Sequence, residues 1–343
     1  MSDRDAPLPT RPLGRTGMNV TRVGFGAWAI GGGDWIAGWG AQDDKDSLAA
    51  IRRAAERGVN WIDTAPVYGL GHSEEIVGKA LAELPAEMRP YVFTKCGLVW
   101  DENDRKAPPQ MAGKPDSIRR EVEASLARLG VERIDLCQMH WPPKDGTPLE
   151  DYWGALLELK NEGKIRAAGL SNHSAEQLEA AEKIGHVDTL QPPFSAIRRG
   201  AAEKELPWCA DHETGVIVYS PMQSGLLTGH FSKERAKALP ENDWRSRNPE
   251  FSGDALERNL AFAESLKPIA KRRDATVAAV AVGWTLAWPG VTGAIVGARG
   301  PKQIDGWIDA ATLELDAEDL AEIAQALEKT GAGSGPLSPM ALS

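Results

Sequence analysis

The feature that most constrains the fold is an alternation. Short runs rich in β-branched residues recur along the chain, and after each the apolar spacing changes to a helical period. The strand-like runs are 59–63, 91–94, 134–138, 165–170, 189–192, 215–219 and 291–296, with one more near Val23. Between them, Ile76, Val77, Ala80, Leu81 and Leu84 fall on one helical face, as do Ile118, Val122, Leu126 and Leu129 before a C-capping Gly130. Ser174 and Gln177 have the spacing of a capping box ahead of Leu178 and Ala181, and Asp316 is placed to cap a last helix carrying Leu320, Ile323 and Leu327. Strand-then-helix repetition implies a parallel sheet covered by helices, either an open doubly wound sheet or a closed barrel. Eight units without a linker favour a single-domain (β/α)8 TIM barrel over 11–330. A short hairpin around Arg15-Thr16-Gly17 precedes it and a C-terminal helix ends it, with 1–10 expected to be flexible and 331–343 to be a tail.

Composition removes several function classes. The 343 residues are 42% hydrophobic, enough for a large core, and 39 Lys and Arg stand against 49 Asp and Glu. A net charge of −10 argues against a nucleic-acid partner, which calls for a basic face. No apolar run reaches the roughly 18 residues of a membrane span, and the polar start MSDRDAPLPTRP lacks the apolar core of a signal peptide. Cys96, Cys137 and Cys209 have the spacing of neither a disulfide framework nor a zinc site. A reduced, cytoplasmic protein that acts on a small molecule and needs no metal is expected, with its oligomeric state open.

Two local motifs mislead. Gly24-Phe-Gly-Ala-Trp-Ala29 fits the dinucleotide fingerprint G-x-G-x-x-G/A, with Asp43 and Asp44 further on, but Ile30-Gly31-Gly32-Gly33 cannot propagate the helix that the fingerprint must open. Tyr91 and Lys95 have the Tyr-x-x-x-Lys spacing of short-chain dehydrogenases, yet 91–94 reads as a strand, where i and i+4 do not share a helical face.

In a parallel barrel, reactive groups project from the C-terminal strand ends and the loops beyond. Asp63, Lys95 and His140 end three consecutive strands, and Tyr68 follows the first. Singly, each has an ordinary reading: a cap, a surface cation, a core histidine, a loop aromatic. Together they suit carbonyl chemistry. A phenol with a pKa of about 10 is a poor acid at neutral pH. A nearby ammonium is expected to lower that pKa, an aspartate to hold the ammonium, and a histidine to orient a carbonyl oxygen.

These residues carry a resemblance. Asp63-Thr-Ala-Pro-Val-Tyr68-Gly69, Thr94-Lys95 and His140-Trp141-Pro142 resemble, in order, the motifs of the aldo-keto reductases, and the likeness runs over 13–327. It implies a (β/α)8 enzyme that uses NADPH/NADP+ to interconvert a carbonyl and an alcohol. Asp63, Tyr68, Lys95 and His140 would be the catalytic tetrad, with Tyr68 as proton donor. It also implies that Ser171, Asn172 and Gln191 bind the nicotinamide carboxamide, and that Tyr219 stacks on the ring. Ser220, Met222, Ser224, Gly225 and Leu226 would follow the pyrophosphate, with Gly26 and Ala27 lining the same seat. Gly297, Arg299 and Gln303 would take the adenosine end, where an arginine beside a helix start suits a 2′-phosphate. Two positions depart from the family pattern: Trp307 stands in place of an Asn, and Phe194 in place of a Tyr.

Twelve Trp against four Tyr and six Phe now have a place. Trp28, Trp35, Trp100 and Trp141 lie in loops at the tetrad's rim and are expected to wall a substrate pocket for sugar-like or apolar carbonyl compounds. The long loops 100–114 and 222–254 are expected to shape it. Readings that compete with a reductase are a non-catalytic nucleotide-binding barrel of the same family and a barrel isomerase or lyase.

Overall fold

The computed structural model describes residues 7–33 and 35–339. The chain opens with an antiparallel hairpin, β1 (Thr10–Pro12) and β2 (Asn19–Thr21), turned at Arg15-Thr16-Gly17. The barrel strands are β3 (Val23–Gly26), β4 (Trp61–Asp63), β5 (Tyr91–Cys96), β8 (Ile134–Met139), β9 (Ile165–Ser171), β10 (Thr189–Gln191), β11 (Gly215–Val218) and β12 (Val291–Gly297). They pair in parallel in that order, and β12 closes on β3. Two short strands, β6 (Leu98–Val99) and β7 (Gln110–Met111), pair antiparallel within the loop after β5.

The outer layer is built from α1 (Asp44–Glu56), α2 (His72–Glu83), α3 (Pro115–Leu129), α4 (Leu149–Asn161), α5 (Ala175–Glu182) and α6 (Glu205–Asp211). Further along come α7 (Lys233–Lys237), α8 (Gly253–Ser265), α9 (Lys267–Arg272), α10 (Val277–Leu286), α11 (Pro301–Asp305) and α12 (Ala317–Thr330). The capping chemistry read from sequence forms: Ser174 and Gln177 make a reciprocal capping box, Asp316 caps α12, and Gly130 ends α3 at φ 65°. After β3 a three-residue 3-10 turn, Ala29–Gly31, stands where the dinucleotide fingerprint would need a long helix. Among the described residues no helix is long and apolar enough to cross a membrane.

The core has two layers. Between strands and helices lie residues such as Ile51, Ile76, Ile118, Leu156 and Val280. Inside the barrel, Trp61, Phe93, Leu136, Ala167 and Ile217 pack with Leu13, Met18 and Val20, so the N-terminal hairpin plugs the end opposite the site. Trp61 Nε1 donates to Thr21 O at 2.8 Å, and Asn60 Oδ1 accepts from the Thr21 N–H at 2.8 Å, which bolts plug to barrel. Phe194 packs flat on Trp284 and edge-on to Trp288.

Some expectations need correction. The first strand begins at Thr10, within the segment expected to be flexible; residues 1–6 and 340–343 lie outside the described residues. The part of the tail that is described is a packed element: Arg199 donates to Ala332 O at 3.1 Å and Gly335 O at 3.1 Å, and Ala332 is buried. Its polar, small-residue composition concealed that role, because backbone carbonyls do the binding.

Gly24 is kept bare by Trp61 of β4. A Cβ there would lie 2.2 Å from the Trp61 ring. Gly24→Ala is therefore expected to destabilise the protein by about 1–3 kcal/mol, read as a lower urea midpoint with an unchanged slope. Stability equal to wild type would mean that Trp61 is not wedged against β3.

Candidate active site

Each tetrad residue is delivered by a strand end or the turn after it. Asp63 is the last residue of β4, Lys95 lies in β5, and His140 follows β8, its N–H donating to Cys96 O at 3.0 Å. Tyr68 sits in a tight turn between β4 and α2, where its N–H donates to Ala65 O and its carbonyl accepts from Ser73 N–H. Beneath the turn, Ser73 Oγ donates to Ala27 O and meets Thr64 Oγ1, tying it to the tips of β3 and β4.

The four come together. Lys95 Nζ donates to Asp63 Oδ1 at 2.6 Å and to Thr64 O at 2.9 Å, and lies 5.2 Å from the centre of the Tyr68 ring. The His140 ring stands edge-on to Tyr68, with centroids 5.7 Å apart. Asp63 and Lys95 are 3% and 1% exposed, so neither charge could be kept without the other. Gln191 donates from Nε2 to Asp63 Oδ2 at 2.9 Å, which occupies the second carboxylate oxygen.

The electrostatics correct one expectation. The Tyr68 phenol is pushed well above its ordinary value, by burial first and then by the Asp63 charge. Lys95 is bound to Asp63 at 2.6 Å, and the carboxylate beside the ammonium opposes ionisation of the ring. Burial and the neighbouring Lys95 charge hold His140 well below 6.5, so its imidazole is neutral. A protonated phenol beside a neutral imidazole results. The Cys96 thiol, next to Lys95, is buried and raised rather than activated.

Above the tetrad opens a cleft of about 1760 Å³. Of the residues expected at the cofactor, Gly26, Ala27, Ser171, Asn172, Gln191, Tyr219, Ser220, Met222, Ser224, Gly225, Gly297, Arg299 and Gln303 line it. Leu226 does not: it is fully buried in the core. Trp28, Trp35 and Trp141 also line the cleft. Trp100 packs on the apolar cluster of Trp35, Val67 and Leu98 without being among the lining residues. Trp307 is 2% exposed and packs in the barrel–helix core at the cleft's edge.

The lining fits a nicotinamide dinucleotide. Asn172 is left-handed (φ 63°), accepts from the Tyr219 hydroxyl at 2.8 Å and donates to His140 O at 2.9 Å, which ties the candidate carboxamide seat to the tetrad. Ser220, Gln223, Ser224 and Gly225 all have positive φ, the type of backbone that turns successive N–H groups toward an anion. At the far end Arg299 donates to Gln42 Oε1 at 2.8 Å and to Ala41 O, both neutral oxygens, while Gln303 Oε1 accepts from the Arg299 N–H at 2.6 Å. Burial and the charges of Arg245 and Arg235 hold the Arg299 guanidinium below its usual value, while Asp243, paired with Arg245 at 2.6 Å, acts the other way.

Several site residues escaped the sequence reading. Trp244 stacks on Trp28 at 5.4 Å, and Arg245 sits 4.6 Å over Trp39 while its NH1 donates to Ser224 O. These contacts join the loop after β3 to the loop after β11, and no local pattern announces such a pairing. Leu98 and Met111 line the cleft because β6 and β7 fold back as a hairpin. His72 also lines the cleft and bonds to Asp44 at 2.8 Å.

The chain was compared with known proteins. The Aldo/keto reductase family model matches residues 22–328. The chain is 37% identical to the aldo-keto reductase YhdN of Bacillus subtilis, over 94% of each chain. It is 36% identical to a protein of Escherichia coli named NADH-specific methylglyoxal reductase, over 93% of this chain and 99% of that one. Among solved structures, the glycerol dehydrogenase AKR11B4 of Gluconobacter oxydans superposes with a TM-score of 0.85 at 38% identity, over 98% of both chains.

Two buried imidazoles set an acid limit. His173, beside Asn172, is pushed down to about 4 by burial, and His140 is held low as described. In the unfolded chain both take a proton near pH 6.5, whereas the native sites resist, so stability is full above that pH and falls below it. Between pH 6.5 and 4, His173 alone is expected to cost about 3 kcal/mol. Urea midpoints of wild type and His173→Gln at pH 7.5 and 5 check this: the variant should lose less on acidification, and parallel losses would exclude His173 as a source.

Proposed function

Since the chain belongs to the aldo/keto reductase family of oxidoreductases, we propose that it is a cytoplasmic, NADP(H)-dependent enzyme that interconverts an uncharged aldehyde or ketone and its alcohol, with Tyr68 as general acid and base. The observation that carries this reading is the Tyr68 phenol, kept protonated directly above the buried Lys95–Asp63 pair on the floor of the cleft.

When bound, a reduced nicotinamide supplies hydride; the chain's own residues manage the proton and the position of the oxygen. Tyr68 donates its hydroxyl proton to the carbonyl oxygen as negative charge develops there. The phenolate left behind lies over the Lys95 ammonium, whose attraction strengthens once the ring carries charge. Neutral His140, edge-on to Tyr68, is available to hydrogen-bond the same oxygen and hold it toward the phenol. Trp28, Trp35, Trp141, Leu98 and Met111 line the cleft around this point and keep water away from it. In the reverse direction Tyr68 takes the alcohol proton.

The apolar cluster around Tyr68 is made of Trp, Leu, Val, Ile, Ala and Met side chains, which supports a neutral substrate, sugar-like or apolar, over a carboxylate or phosphate. NADP(H) preference is supported by the charge at the other end. Asp43 and Asp44 also line the cleft, but Asp43 caps α1 and Asp44 bonds His72; Arg245 is paired with Asp243, so Arg299, whose hydrogen bonds go to neutral oxygens, is left with Arg235 to attract a 2′-phosphate. The name of the Escherichia coli relative specifies NADH, so this preference is a property to test in this chain.

Quenching of the cleft tryptophans on titration with NADPH and then NADH tests the reading. NADPH is expected to bind more tightly, and Arg299→Ala to erase about a tenfold share of the difference. Tyr68→Phe is expected to bind NADPH normally while carbonyl turnover falls by about 100-fold or more. Equal or tighter NADH binding would overturn the cofactor assignment, and an active Tyr68→Phe would overturn the acid.

A further inference from the structure

We propose that His173 and Tyr152 are positioning residues for the nicotinamide seat, with the Tyr152 hydroxyl anchoring His173 through Nε2 and His173 holding the Ser171–Asn172 turn in register. This rests on the NADP(H) reading above and extends it to two residues outside the cleft lining.

The hydrogen bonding leaves one arrangement. His173 Nδ1 is 2.9 Å from the Ser171 carbonyl oxygen, which can only accept, so Nδ1 carries the hydrogen. In a neutral ring Nε2 is then bare and must accept. The Tyr152 hydroxyl, 3.0 Å away, donates to it. Both residues are 3% exposed, so water does not compete for these partners. Tyr152 lies on α4, and its hydroxyl reaches in from the helix layer to a turn at the barrel's rim.

That turn needs holding. Asn172 is left-handed at φ 63°, a conformation that costs a non-glycine residue about 1 kcal/mol or more. Its carboxamide is already committed to Tyr219 and His140. Ser171 Oγ donates to Gln191 O at 2.9 Å, and Gln191 donates to Asp63. A shift of the Ser171 carbonyl would therefore move the residues facing the carboxamide together, and with them the second hydrogen bond to Asp63. With the other tautomer, Nε2–H would point at the Tyr152 oxygen and the Ser171 carbonyl would lose its donor. The Ser171 carbonyl thus selects the tautomer; without Tyr152 the buried Nε2 would lose its donor and the ring its second anchor.

The test compares dissociation constants for NADPH and for 2′-phospho-ADP-ribose, which lacks nicotinamide, in wild type, Tyr152→Phe, His173→Phe and His173→Asn. Tyr152→Phe is expected to weaken NADPH by about tenfold and the nicotinamide-free ligand by less than about twofold. His173→Asn, whose amide N–H can replace Nδ1–H, is expected to bind NADPH more tightly than His173→Phe, although Phe better matches the lost volume. Equal weakening of both ligands would mean a structural role, and unchanged NADPH binding would mean none. Phe restoring affinity better than Asn would mean simple packing. Each of these overturns the proposal. Failure of wild type to bind either ligand would instead sink the NADP(H) reading beneath it.

Discussion

Lys95 and Asp63 occupy the centre of the molecule as a pair that neither residue could leave. At 2.6 Å, and nearly free of solvent, each is the other's only charged partner among these bonds, and removing one would strand the other at a cost of about 3–5 kcal/mol. The pair also helps to hold the Tyr68 proton. Burial and the Asp63 carboxylate oppose ionisation of the phenol, so it stays protonated at rest. When charge develops on that ring during proton transfer, the Lys95 ammonium, 5.2 Å from the ring centre, becomes a stabilising neighbour. The same arrangement thus holds a proton at rest and favours its departure in the transition state, provided the strands do not move.

The barrel supplies that rigidity. β4, β5, β8 and β10 present Asp63, Lys95, His140 and Gln191 at one rim, and their registers are locked by parallel pairing around a closed sheet. The opposite end is plugged by Leu13, Met18 and Val20, with Trp61 clamped between plug and β3. Adaptable parts are confined to the rim loops, where Trp28, Trp39, Trp244 and Arg245 lock two segments more than 200 residues apart in sequence.

Much of this was legible from residue order. Strand-to-helix alternation gave the closed barrel, because period and length are local properties that β-branched runs and caps record directly. The tetrad was legible because strand ends in a parallel barrel converge, so identity at a strand end is almost a coordinate. Three things were not. The Tyr68 environment depends on how deeply the ring is buried and on Asp63 beside it, and the expected lowering of its pKa weighed only the ammonium's effect on the ring. Leu226 and Trp100 sit in loops whose direction is set by positive-φ turns and by the β6–β7 hairpin, so proximity in sequence did not place their side chains in the cleft. The Tyr152–His173 link joins α4 to a rim turn, and each residue taken singly reads as ordinary core.

The protonation state of Tyr68 is the point on which the chemistry turns. In nucleotide-free protein labelled with 13C at tyrosine Cζ, the four tyrosine signals can be followed by NMR against pH, with Tyr68→Phe identifying the relevant one. The account predicts that the Tyr68 signal keeps its phenol shift beyond pH 10, because burial and Asp63 oppose ionisation. A midpoint below 10 would contradict it, since burial and Asp63 would then not govern the phenol and the site would not hold its proton as described.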